Sequence, residues 1–142
     1  MFARRVFKWA GIYGILVLFP MYFIEERIGR DHPLAITHPE HYYGFVGVAL
    51  AWQILFLLLA RDPVRFRPLM IPCVLEKLGF GVAVPILFAL GRTEAILLGP
   101  ASIDLLLAGL FAWSYVTTPS VASAAPTLGH EGPGGSAPGS SG

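Results

Sequence analysis

Residues Tyr42 to Ala60 read Tyr-Tyr-Gly-Phe-Val-Gly-Val-Ala-Leu-Ala-Trp-Gln-Ile-Leu-Phe-Leu-Leu-Leu-Ala, a run without a charged side chain in which Gln53 is the one amide. A helix rises 1.5 Å per residue, so about 20 apolar residues cross a hydrocarbon core about 30 Å thick. Lipid offers no partner to backbone N–H and C=O groups. A spanning segment must therefore satisfy them internally, as a helix does, or in a closed barrel. The run reads as a membrane-spanning helix.

Three further stretches have the same character: Val6–Ile24, Leu69–Leu90 and Ile96–Val116. The expected fold class is all-α, a transmembrane four-helix bundle with short connections, forming one domain over residues 1–117. Composition agrees. Hydrophobic residues make up 55% of the 142 and charged residues 13%, with a mean hydropathy of +0.65. Soluble domains carry about 25% charge. The first stretch follows the basic start Met1-Phe-Ala-Arg-Arg5 but reaches Phe19-Pro20-Met21-Tyr22-Phe23 without a small-residue cleavage site. It is expected to be a permanent span and not a cleaved signal.

Sidedness follows from the basic residues. Arg4, Arg5 and Lys8 before the first span and Arg61, Arg65 and Arg67 after the second would share one side. Arg27, Arg30 and Arg92 would lie on the other. The positive-inside bias predicts that the first group, and with it both termini, is cytoplasmic in a cell inner membrane. Trp9, Trp113 and Tyr115 fall near the inner boundary and Tyr22, Tyr42 and Tyr43 near the outer one, as amphipathic aromatics prefer. Trp52 lies deep in the second span and is expected to be packing. Residues 118–142 hold 6 Gly, 5 Ser, 4 Pro and 4 Ala. That composition predicts a disordered tail.

Four polar residues fall inside the spans: Glu76, Lys77, Asp104 and Gln53. A charge at the bilayer centre costs about 2.5–3.5 kcal/mol on insertion scales, so such groups face the bundle interior and find partners. With the third span entering at Leu69, Glu76 lies ~10 Å deep; with the fourth entering from the opposite face at Ile96, Asp104 lies ~12 Å deep. Some ~8 Å then separates their levels in a core of ~30 Å. The long Lys77 side chain can bridge that gap, which predicts a Lys77–Asp104 pair with Glu76 beside it. Ala101, Ala108 and Ala112 give the Asp104 face a small-residue stripe, Gly47 and Ala51 do the same on the second span, and Gly81 follows Lys77 by one turn. Small residues let membrane helices approach closely. The cluster is a structural tie between the third and fourth spans or a protonatable, substrate-contacting site, unless Glu76 or Lys77 snorkels to the inner interface.

Other features point to ordinary roles. Cys73 is the one cysteine; it has no disulfide partner and reads as small apolar packing. Pro85 should kink the third span. The Glu25–His41 loop holds His32, His38 and His41, but nothing fixes a third ligand beside His38 and His41, and no metal site is expected. Asp62 before Pro63 suits the start of a short helical turn, and Arg61, Arg65 and Arg67 are placed to contact anionic lipid head groups. No span carries a histidine pair for haem. No phosphate-binding glycine loop or nucleophile elbow occurs, so no catalytic residues and no cofactor are assigned. The first span lacks the acid on which small multidrug exporters depend.

The stretch Glu40–Gln53, followed by Arg61–Met70 and the Glu76-Lys77 pair, resembles a group of small uncharacterised bacterial membrane proteins over about a third of the chain. The four-span layout is loosely similar to DoxX-like membrane proteins. The resemblance implies a bacterial multi-pass membrane protein and brings no catalytic residues. The leading expectation is a non-enzymatic accessory, assembly or structural component. Its partners would be the lipid bilayer and another membrane protein or a second copy, and not nucleic acid. The alternatives are a small transporter or hydrophobic-ligand carrier built on Glu76, Lys77 and Asp104, and a membrane enzyme subunit.

Overall fold

The computed structural model describes residues 1–31 and 38–120. Five α-helices account for most of them: α1 (Phe2–Leu18), α2 (Met21–Asp31), α3 (Pro39–Arg61), α4 (Met70–Ala89) and α5 (Leu98–Thr117). Short 3-10 turns at Arg67–Leu69 and Ala95–Leu97 lead into α4 and α5. Four segments, Phe2–Glu25, Pro39–Arg61, Arg67–Ala89 and Ala95–Thr117, are long and apolar enough to cross a membrane. At 23 or 24 residues each, they measure about 35 Å, enough for the hydrocarbon core.

Helix ends follow from local chemistry. Pro39 sits at the first position of α3, where its missing N–H is no loss and its ring presets the helical φ. Asp62 ends α3 outside helical geometry, at φ −142° and ψ 80°, because the ring of Pro63 disfavours the helical region in the residue before it. The Asp62 carboxylate then accepts the Arg65 N–H at 3.1 Å, which caps the following turn as its position before Pro63 predicts. Gly91, at φ +67°, closes α4. The Arg92 N–H reaches back to the Leu87 carbonyl and the Gly91 N–H to that of Phe88, the paired bonds of a Schellman motif.

Two boundaries differ from the sequence reading. The first span is not one helix: Pro20 offers no N–H to the Leu16 carbonyl, and the chain makes a turn at Phe19-Pro20 before α2 begins. In addition, α2 carries helix as far as Asp31 and α3 starts at Pro39, so helix occupies much of what reads as a long loop. Pro85, by contrast, lies within an unbroken α4. The predicted tail lies almost wholly outside the described residues, as do His32 and the rest of 32–37.

The helices form two intimate antiparallel pairs, α1 with α3 and α4 with α5. The pairs join along a slimmer α1–α5 seam, while α3 and α4 barely touch. At the end carrying Met1, the Arg61–Met70 connection and Thr117, all four long helices contribute to one core of Phe7, Phe56, Leu59, Met70, Cys73 and Phe111. Phe7 stacks on Phe111 with centroids 4.3 Å apart, and Phe56 meets Phe111 edge-on at 5.0 Å. Arg4 donates to the carbonyls of Ala60 and Arg61, tying α1 to the end of α3. Toward the other end burial becomes pairwise: Val46 and Ala49 on α3, then Gly81, Val84 and Ala101 between α4 and α5.

Small residues decide how close each pair comes. A side chain at Gly11 or Gly14 of α1 would run into Leu57 or Gln53 of α3. One at Gly81 would lie 3.0 Å from the Leu105 side chain and 3.2 Å from its backbone nitrogen. Helix hydroxyls are satisfied within their own helix: the buried Ser114 donates to the Leu110 carbonyl at 2.8 Å and the exposed Thr117 to that of Trp113 at 2.9 Å, the usual solution for a hydroxyl in a membrane helix.

Candidate intramembrane ligand site

Lys77 lies on α4 one turn before Gly81. The bare backbone of Gly81 draws α5 in at Leu105, and Asp104 precedes that residue. The Lys77 Nζ consequently reaches Asp104 Oδ1 at 3.2 Å. Glu76 is the neighbour of Lys77 on α4, and its Oε2 and Oε1 lie 3.3 and 3.4 Å from the same nitrogen. Lys77 also sits 5.6 Å from the centroid of Phe56, within range of a cation–π contact. The Lys77 side chain is 9% exposed and those of Glu76 and Asp104 are 18% exposed. One ammonium therefore serves two carboxylates in a largely buried place.

Gln53 of α3 is 2% exposed. Its amide nitrogen donates to the Ala49 carbonyl at 2.9 Å, and its side chain fills the space that Gly14 leaves open. All four polar residues line a single cavity of about 420 Å³ between the helix pairs. The phenylalanine-rich core closes one end of the cavity. The remaining walls are mostly apolar and include four aromatic rings, those of Tyr13, Phe45, Trp52 and Phe80. A concave, largely apolar cavity of this size with a few converging polar groups is the usual form of a small-molecule site.

Within it, the buried Glu76 Oε2 atom has the Lys77 ammonium at 3.3 Å and makes no hydrogen bond beside that ion-pair contact. Two carboxylates share one ammonium, so with all three groups ionised the cluster holds one more negative than positive charge. Burying charge without full compensation is costly, so the arrangement favours a guest that brings a proton or a positive charge.

The expected small-residue stripes hold only in part. Ala101 and Ala108 are buried, but Ala112 is exposed and Phe111 takes the inward position. At 100° per residue, seven steps from Asp104 return to within ~20° of its direction and eight overshoot by ~80°. On α3 the packing face is Val46, Ala49, Gln53 and Phe56. Gly47 is half-buried near the Tyr22 hydroxyl and Ala51 is exposed, so the Gly47/Ala51 pair is not the contact surface. The close-approach glycines of the α1–α3 pair, Gly11 and Gly14, lie on α1, where the Ala10-x-x-x-Gly14 spacing was a legible signal. Trp52 both packs on Phe56 at 6.5 Å and walls the cavity.

The arginines divide. Arg61 and Arg65 are exposed, whereas the Arg67 guanidinium donates to the Tyr115 carbonyl at 3.0 Å and lies 4.0 Å over the Tyr115 ring. Arg67 thereby fastens the α3–α4 connection to the end of α5. At the opposite end Tyr42 donates to the Met21 carbonyl at 2.8 Å, Tyr43 to Glu25 at 3.1 Å, and Tyr22 stacks on Tyr43, which fastens α2 to α3. Cys73 is buried, its thiol directed at the Leu69 carbonyl. His38 and His41 stand with ring centroids 5.5 Å apart. Among the described residues no three His, Cys, Asp or Glu side chains gather around a common point.

No protein-family model, curated protein or solved structure matches this chain.

Proposed function

We propose that the chain is a small membrane carrier that holds an amphipathic ligand between its helix pairs. In this reading both termini face the cytoplasm of a bacterial inner membrane, and Glu76, Lys77, Asp104 and Gln53 receive the ligand's polar end. The observation that carries the reading is the cavity of about 420 Å³ with all four of those side chains in its wall. A purely structural tie between α4 and α5 needs no empty volume beside it. It also gains nothing from a second carboxylate beside an ammonium that already has one.

The surroundings suit a ligand that arrives from the bilayer. Tyr13 and Val48 line the cavity and are themselves 41% and 61% exposed. Both sit well inside their helices, Val48 about 13 Å from the start of α3 at 1.5 Å per residue. A shallow groove between α1 and α5 shares Ala10, Tyr13 and Leu107 with the cavity, giving a sideways path between lipid and interior.

The test is to extract the full chain in its own lipids and identify what accompanies it. A bound small amphiphile near one per chain, lost in Trp52→Ala while the protein stays monodisperse, is the expected result. A stoichiometric protein partner with an empty cavity would instead establish an accessory or assembly component.

A further inference from the structure

The cavity is unbalanced in charge. Lys77 is the one cation among the described residues that line it, and it lies within ion-pair distance of both carboxylates, Glu76 and Asp104. With all three ionised the cluster carries one net negative charge in a low-dielectric site. The other elements do not correct this. From α1 the cavity receives Tyr13, from α2 Met21, and from α3 the uncharged Gln53. Cys73 of α4 lies one turn further into the closed core, its thiol bonded to Leu69. A buried net charge is unfavourable, so the empty site must gain a positive charge, and the smallest available is a proton.

We propose that the ligand is an organic cation, and that its head replaces one proton held by the Glu76–Lys77–Asp104 cluster. This rests on the ligand-binding reading above and specifies the class of ligand. The exchange balances: a neutral, singly protonated cluster takes up a monovalent cation and releases one proton, so the cavity stays neutral before and after. Two further features favour this sign of charge. Four aromatic rings wall the cavity, and the faces of such rings attract cations. Finally, an anionic head would find the cavity's one ammonium already engaged by two carboxylates.

Tetraphenylphosphonium and tetraphenylborate have nearly the same size and shape and opposite charge. Each is titrated into the full chain in detergent, with empty micelles subtracted, by calorimetry in two buffers of different ionisation enthalpy. The phosphonium should bind at least tenfold more tightly than the borate and release about one proton per ion, its affinity rising about tenfold per pH unit while the cluster is protonated. Glu76→Gln should abolish proton release and weaken phosphonium binding at least tenfold, while Gly79→Ala, on an open surface, should change neither. Should Glu76→Gln fail to fold, Asp104→Asn removes the same excess charge and should give the same loss. Borate binding equal to or tighter than phosphonium would overturn the cation assignment and leave the carrier reading standing. Cation binding without proton release would overturn the exchange. If neither ion binds beyond the micelle background, both this inference and the carrier reading fail.

Discussion

Replacing Lys77 with methionine would leave Glu76 and Asp104 lining one cavity with no cation between them. Removing one partner of a buried ion pair costs ~3–5 kcal/mol, because the charge left behind is uncompensated. Asp104→Asn, in contrast, keeps the Glu76–Lys77 contact and removes the excess negative charge. We expect Lys77→Met to lose most of its folded, monodisperse fraction on gel filtration, and Asp104→Asn to stay close to the parent. Equal losses in the two variants would mean that Lys77 does not hold the cluster together. Glycines separate in the same way. Gly14→Ala would drive a methyl group into Gln53 and should destabilise by ~1–3 kcal/mol through overpacking. Gly99→Ala and Gly109→Ala meet nothing within 4 Å and should be neutral or slightly stabilising, since alanine is the better helix former. Thermal unfolding midpoints in one detergent decide this.

At the scale of elements, the sequence revealed the helices better than their seams. Four long apolar runs determine four spans, because hydrocarbon thickness sets their length and backbone hydrogen bonding sets their form. The Lys77–Asp104 pair was legible for a related reason: depth in the membrane converts directly into residue number. What depth leaves undetermined is rotation about each helix axis. Ala112 and Ala51 were therefore assigned to packing faces they do not occupy, while Gly11 and Gly14, which face Leu57 and Gln53, went unnoticed. The inward turn of Arg67 depends on contacts between elements, which local composition does not encode, whereas the break at Pro20 follows from the proline itself. Arg67→Lys tests one such contact. Lysine loses the planar stacking over Tyr115 and the directed guanidinium hydrogen bond, so the variant should be less stable by ~1–2 kcal/mol. Arg65→Lys, at an exposed position, should lie within ~0.5 kcal/mol of the parent.

For the molecule as a whole, the two helix pairs are joined firmly at one end and leave a cavity toward the other. Phe7, Phe56 and Phe111 make the join, and Phe111→Ala should cost ~3–5 kcal/mol by opening a void where all four helices meet. Lys77 sits just beyond that join, against Phe56, so the charged cluster forms the floor of the cavity and the aromatic rings its walls. Such a site has meaning only if the helices cross the bilayer four times and enclose it. Six basic residues of the described chain, Arg4, Arg5, Lys8, Arg61, Arg65 and Arg67, lie at the end that carries the join, consistent with anchorage of that end at one membrane face. The most direct measurement attaches a small fluorescent tag to each end of the full chain in sealed vesicles and adds a membrane-impermeant quencher first outside, then inside. Four crossings predict that both tags darken together from the same face. Tags quenched from opposite faces would require an odd number of crossings and contradict the bundle that encloses Lys77 and Asp104.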